Sequence, residues 1–133
     1  MTKHTIFRFK LSLIFVFAFG FFVVSCSAQP QAEQQALQSL RQMTKDGKMP
    51  PESFVQQIEN RFPNTRTGAL AKLLRARIRF DAGDFEGAAS ILNTDVFKQK
   101  TKLGDYALWL RGRALQSAGK HAEAMNVFFC RFA

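Results

Sequence analysis

Side chains that build metal sites, disulfides and catalytic centres are scarce in this sequence. Its 133 residues include two cysteines and two histidines, and 10 acidic residues stand against 19 lysines and arginines. His4 lies in the N-terminal hydrophobic region and His121 in a helical one, with no further ligands placed near them, so no metal site is predicted. A glycine-rich phosphate loop and a nucleophile elbow are both missing. We therefore expect a protein that is not an enzyme and needs no cofactor.

The acidic residues that come closest together do not make a catalytic pair. Asp81, Asp84 and Glu86 surround Gly83, between two predicted helices. Acidic residues in such places cap a helix or interact favourably with its dipole. Because no second acid or base completes a hydrolytic arrangement, we interpret these three residues as part of a turn.

The first 28 residues differ in composition from the rest. Lys3, Arg8 and Lys10 precede an uncharged segment, "LSLIFVFAFGFFVVSCSA", over residues 11–28. A basic start followed by an apolar run is the order of an export signal, so we predict a signal peptide over residues 1–28. A run of about 18 apolar residues is also near the minimum for a membrane-spanning helix, which leaves an uncleaved signal anchor as an alternative.

The end of this segment, "VVSC", resembles the lipobox of bacterial lipoproteins. In that family an aliphatic residue lies three places before the cysteine and a small one directly before it, as Val23 and Ser25 do here. The resemblance implies that Cys26 becomes the first mature residue and carries several acyl chains, which anchor a protein stably in a membrane. Ser27, in place of an aspartate, implies an outer-membrane anchor facing the periplasm. Ordinary cleavage after Ala28 is the alternative.

The mature chain keeps a positive charge. Loss of residues 1–28 removes three basic residues and no acidic one, so the net charge falls from +9 to +6. In an exported protein such a surplus favours acidic partners or anionic envelope surfaces. No motif with interleaved aromatic and basic residues is present, so we do not expect nucleic-acid binding. Residues 29–35, "QPQAEQQ", are interpreted as a polar tether, followed by one domain over residues 36–133.

The periodicity of that domain is helical, and no segment indicates a strand. Phe54, Val55, Ile58 and Phe62 form one apolar stripe, and Pro63 ends their helix. Glycine turns interrupt the later helices. We predict an all-α fold of about three antiparallel helical hairpins, over residues 36–63, 65–94 and 103–132, preceded by the hydrophobic signal helix.

The second and third hairpins share a repeat with an offset of 36 residues. Residues 70–93 and 106–129 align without a gap and give seven identities in 24 positions. The identical pairs are Ala71 and Ala107, Leu74 and Leu110, Arg75 and Arg111, Arg77 and Arg113, Ala82 and Ala118, Gly83 and Gly119, and Ala88 and Ala124. Another step of 36 back from Gly83 reaches Gly47, which indicates a third and more divergent copy.

This period, with two helices around a glycine turn, resembles the tetratricopeptide repeat. The residues that carry the likeness are the small Ala76 and Gly112, the turn glycines Gly83 and Gly119, the alanines Ala88 and Ala124, and the large apolar Leu92 and Phe128. The resemblance implies a short stacked solenoid. The sequence departs from the family pattern at Arg75 and Arg111, where an aliphatic residue is usual, and at Asp95 and Arg131, where a small one is.

Longer segments also resemble the helical superhelix that precedes the catalytic domain of soluble lytic transglycosylases. The similar segments are "RFPNTRTGALAKLLRARIRFDAGDFEGAASIL" and "LGDYALWLRGRALQSAGKHAEAMNVFF". They also look like exported repeat lipoproteins of outer-membrane assembly. The catalytic glutamate motif of the transglycosylases has no counterpart here, so the resemblance implies binding or scaffolding alone.

Arginines recur at the repeat offset and form the candidate binding site. Arg77 and Arg113 form one predicted row along the first helices, and Arg75 and Arg111 form another. Rows of guanidinium groups along a groove could hold carboxylates, with Trp109 stacking on a ligand. The alternative is that these arginines are simply solvated and cover apolar neighbours with their stems.

We expect an exported, lipid-anchored scaffold module of the cell envelope, on its periplasmic side, that binds a protein or peptide partner, acidic by preference, or peptidoglycan. The alternative is the non-catalytic N-terminal portion of a lytic transglycosylase. Phe128, Phe129, Cys130 and Phe132 crowd the final turns. A repeat array usually ends in a polar capping helix. We therefore expect either a truncated chain or a partner that covers this end.

Overall fold

A computed structural model describes residues 28–129, which form helices and the turns that join them. The helices are α1 Ala28–Thr44, α2 Glu52–Arg61, α3 Arg66–Asp81, α4 Phe85–Ile91, α5 Val96–Lys100, α6 Gly104–Ser117 and α7 His121–Phe129. No strand occurs in this range, so the predicted all-α fold is confirmed for the described residues. Residues 1–27 of the predicted signal peptide, with Cys26, lie outside them, as do Cys130 and Phe132.

Helix α1 begins at Ala28, so residues 29–35 of the predicted tether lie in its first turns. Alanine, glutamine, glutamate and leucine, which favour helices, make up most of helix α1. Residues from Glu33 onward belong to one compact unit. Within it, Leu40 of α1 is buried and Glu33 accepts a hydrogen bond from the backbone N–H of Thr67, at the start of α3.

The remaining helices pack mostly on their neighbours along the chain. Helix α2 packs on α3, α3 on α4, α4 on α6 and α6 on α7, while α5 lies against α3 and α6. One buried cluster consists of Leu73, Ala76, Leu92, Phe97, Ala107 and Leu110. A second consists of Ala88, Ala89, Ala114, Leu115, Ala124 and Val127. Four of its six members are alanines, which let α6 approach α4 and α7 closely.

The 36-residue repeat is visible in the backbone. Gly47, Gly83 and Gly119 are spaced by 36 and have φ angles of 70°, 84° and 77°. This left-handed conformation favours glycine because it has no Cβ. After α3 the N–H of residue 84 donates to the carbonyl of residue 79, and after α6 that of residue 120 donates to residue 115, both at 2.9 Å. Both helices therefore end in the same Schellman-type turn.

The last two helix pairs each combine a small residue with a large one. Ala76 and Leu92 are buried in the same cluster. At the offset of 36, Gly112 faces Phe128, and a Cβ on Gly112 would overlap the Phe128 ring. The third helix pair therefore combines the larger side chain, Phe128, with the smaller residue, Gly112.

Candidate functional site

The exposed aromatic residues of α6 form a stacked pair. Tyr106 and Trp109 are 38% and 42% exposed, and their ring centroids lie 5.7 Å apart at an interplanar angle of 28°. Their spacing of three places them on one helix face, and Arg113, four residues further on, shares that face and is exposed. Exposed, stacked aromatic rings beside a guanidinium are typical anchors of protein interfaces.

Arg77 connects this face to α3. Its Nη1 donates to the Tyr106 hydroxyl at 3.3 Å, and its Nε donates to Asp81 Oδ2 at 2.9 Å. Its guanidinium lies 6.0 Å from the centroid of the Phe80 ring. The hydrogen bonds to Asp81 and then to Tyr106 raise the pKa of Arg77. We call Arg77, Tyr106, Trp109 and Arg113 the arginine–aromatic patch.

Arg75 is engaged inside the molecule instead. Its Nε lies 2.8 Å from Glu59 Oε2 and its Nη2 donates to Glu59 Oε1 at 3.1 Å, and both side chains are 15% exposed. Lys72 Nζ lies 3.6 Å from the same carboxylate. This carboxylate on α2 thus holds two cations of α3, and Arg75 serves the packing of the two helices.

Arg111 lies across α6 from the patch. Residues two apart in a helix point about 200° apart, so Arg111 cannot share a face with both Trp109 and Arg113. It lines clefts next to α4 and α7, and its Nε is buried without an acceptor among the described residues. The structure therefore brings Arg77, Trp109 and Arg113 to one patch, and leaves Arg75 and Arg111 elsewhere.

Arg79 joins three helices. Its Nε donates to Glu52 Oε1 of α2 at 2.7 Å and its Nη1 to Asp84 Oδ2 at 2.8 Å. These hydrogen bonds, with Glu52 first, raise the pKa of Arg79. Asp84 also accepts from the Gly87 N–H at 2.9 Å, which confirms its predicted capping role. That bond and the one from Arg79 lower the pKa of Asp84.

The sequence did not predict the contact of Arg77 with Tyr106 or the ion pair of Arg75 with Glu59. The signal for Tyr106 was its spacing of three from Trp109, which places both rings on one face. The partnership of Glu59 with Arg75 depends on how α2 and α3 are aligned against each other, and no sequence pattern reports that alignment.

No protein-family model matches the chain, and comparisons with curated proteins and with solved structures give no match. Within residues 28–129, no three histidine, cysteine or acidic side chains come together in a way that could hold a metal ion. In the same range, no helix combines the length and the apolar character needed to cross a bilayer.

Proposed function

We propose that this chain is an exported, lipid-anchored scaffold of the bacterial envelope that binds a protein partner through the arginine–aromatic patch. The observation that carries the proposal is the exposed stack of Tyr106 and Trp109, oriented by a hydrogen bond from Arg77. Rigid aromatic rings lose little conformational entropy on binding, and the guanidinium of Arg113 offers paired donors to a carboxylate. The partner presents acidic side chains to this surface.

The repeat supports the proposal of a tetratricopeptide-like solenoid. Three glycines with the same left-handed conformation recur at 36 residues, and two of them end their helices with identical hydrogen bonds. A helix pair of this size cannot bury its own apolar face and is stabilised by the next pair, as Ala88 and Ala89 are by α6. The patch then lies where side chains from α3 and α6 meet.

A pull-down from envelope extract tests the partner-binding proposal. The chain is compared with the double variant Arg77→Glu, Arg113→Glu, and with Lys48→Glu, a charge reversal at an exposed residue between α1 and α2. We expect a protein that is captured by the wild type and by Lys48→Glu and lost from the double variant. Equal capture by all three would exclude the patch as the binding surface.

The lipid anchor is tested separately, because it rests on Cys26 alone. Cells are labelled with a fatty-acid analogue, and the chain is compared with a Cys26→Ala variant. Incorporation into the wild type and not into the variant is expected. Equal labelling of the two, or none in the wild type, would refute lipidation and leave the signal peptide or signal anchor.

A further inference from the structure

The exposed side of the third helix pair corresponds to a surface that is covered in the second pair. Leu73 of α3 and Ala89 of α4 are each 6% exposed, because they lie in buried clusters that α6 completes. At the offset of 36 residues they correspond to Trp109 of α6 and Met125 of α7, which are 42% and 56% exposed. We call the surface formed by these two residues with Arg113 and Phe128 the end face.

The helix that covers the second pair carries a defined apolar stripe. Ala107, Leu110 and Ala114 of α6 are buried in the clusters that it shares with α3 and α4. Their spacing of three and four residues places them on one side of the helix. Two of the three are alanines, which allow a close approach of the helix backbones. The repeat therefore predicts that a helix with a similar stripe packs on the end face.

One contact of the covering helix is polar. Tyr106, in the first turn of α6, accepts a hydrogen bond from Arg77, and the charge of Arg77 is paired with Asp81. At the offset of 36 residues Arg113, which is exposed, corresponds to Arg77 and Ser117 to Asp81. Because serine has no charge, Arg113 lacks the ion pair within its helix that Arg77 has. An acidic residue in the first turn of a covering helix would bind Arg113 and interact favourably with the helix dipole.

We infer that the end face binds an amphipathic α-helix of a second protein, with apolar residues at i, i+3 and i+7 and an acidic residue at i−1. A second copy of this chain is a poorer partner, because the stripe of its own α6 is buried and Tyr106 occupies the place of the acid. The inference rests on the proposed function, since Trp109 and Arg113 belong to both surfaces. It specifies the partner as a helix whose apolar side contacts Met125.

The probe is a stapled helical peptide with the sequence of residues 104–117, carrying Tyr106→Glu and Trp109→Gln. It keeps the stripe of α6 and has no tryptophan, so the fluorescence of Trp109 in the protein reports binding. The stripe control carries Leu110→Gln in addition, and the charge control has Tyr106→Gln instead of Tyr106→Glu. We expect saturable binding of the probe. Binding should be about two- to fivefold weaker for the charge control and about tenfold weaker for the stripe control.

Met125→Gln distinguishes this inference from the proposed function, because Met125 carries no charge and lies outside the arginine–aromatic patch. This variant should bind the probe about tenfold more weakly, whereas Met49→Gln, at an exposed methionine between α1 and α2, should bind it as the wild type does. Equal affinities of the two variants, or of the probe and the stripe control, would overturn the inference. Trp109 emission that changes with protein concentration alone would identify a second copy as the occupant and would also overturn it.

A glutamate-rich peptide without apolar residues separates failure of this inference from failure of the proposed function. If that peptide binds through Arg113 and the helical probe does not bind, the proposed function stands and the inference is overturned. If the helical probe binds in a manner that depends on Met125 and the glutamate-rich peptide does not bind, the inference stands, and acidic charge alone is not what the end face recognises. If neither binds, the inference and the proposed function are both overturned.

Discussion

Gly112 and Phe128 form a packing pair, because the aromatic ring lies where position 112 has no side chain. The Phe128 ring occupies the space where a side chain at position 112 would begin. The corresponding residues, Ala76 and Leu92, belong to one buried cluster, where a methyl group stands in place of the glycine hydrogen and leucine in place of the larger ring. Substitutions in a protein core are tolerated best when the total volume of the side chains is kept.

We predict that Gly112→Ala destabilises the protein, although alanine favours a helix more than glycine does. Overpacking against the ring should cost about 1–3 kcal/mol, against a propensity gain of about 1 kcal/mol. Adding Phe128→Leu should restore part of the loss, because the double variant reproduces the Ala76 and Leu92 pair. Urea unfolding of the four proteins of this cycle measures the coupling. A more stable Gly112→Ala protein would show that the ring moves aside freely.

At the scale of helices and turns, the sequence predicted most of the features that are determined by residues close together in the chain. The turn glycines and the capping residue Asp84 are local signals, and the structure confirms this cap. The predicted hairpins leave residues 95–102 between them, yet Phe97 of helix α5 is among the most buried side chains. That burial depends on α3 and α6, which are distant in sequence, so no local pattern could reveal it.

The turn glycines provide a prediction for this scale. Beyond the adjacent residues in the chain, no atom lies within 4 Å of a Cβ added to Gly83 or Gly119, so substitution there strains the backbone and does not disturb packing. Gly83→Ala and Gly119→Ala should each lose about 1–2 kcal/mol, the cost of the left-handed conformation for an L-residue. The asparagine variants should lose less, because asparagine tolerates this region. Thermal unfolding, with the exposed Gln116→Ala as control, measures the effect; alanine variants as stable as the control would contradict it.

Helix α1 is attached to α3 through a carboxylate, which makes its docking sensitive to acid. Burial raises the pKa of Glu33, but hydrogen bonds with Thr65 and Thr67 outweigh this effect and lower the pKa overall. Because the folded pKa is below the unfolded value of about 4.3, the stabilisation is complete above that pH. It is lost as the pH falls through the lower, folded value.

We therefore predict that protection of the Thr67 amide from hydrogen exchange decreases as the pH is lowered below about 4, the range in which an unshifted glutamate becomes protonated. After correction for intrinsic exchange, Glu33→Gln should show weaker protection at neutral pH and a smaller change with acid. Parallel curves for the two proteins would mean that another group controls the docking of α1.

At the scale of the whole molecule, the candidate site could be predicted only in part. The sequence identified the arginines that recur at 36 residues and the single tryptophan. It placed both predicted rows, Arg77 with Arg113 and Arg75 with Arg111, in one groove, whereas residues two apart on a helix face nearly opposite directions. Glu59 of α2 engages Arg75 and so removes it from the candidate site, which depends on packing between helices.

The surplus of basic residues acts over the whole surface, whereas binding at the patch is local. Interactions between exposed charges are screened beyond about 8 Å at physiological ionic strength, so general attraction should weaken steeply with salt. A partner that also stacks on Trp109 gains a contribution to its binding free energy that salt does not screen. Salt dependence therefore distinguishes specific recognition from attraction to the net charge.

The most direct test uses the fluorescence of Trp109, the only tryptophan in the chain. A glutamate-rich peptide is titrated against the wild type, Arg113→Glu and Lys48→Glu, with the glutamine counterpart of the peptide as control. The account predicts a saturable change in Trp109 emission with the acidic peptide, lost in Arg113→Glu and kept in Lys48→Glu. An unchanged spectrum, or equal responses of the two variants, would contradict the claim that the arginine–aromatic patch binds acidic partners.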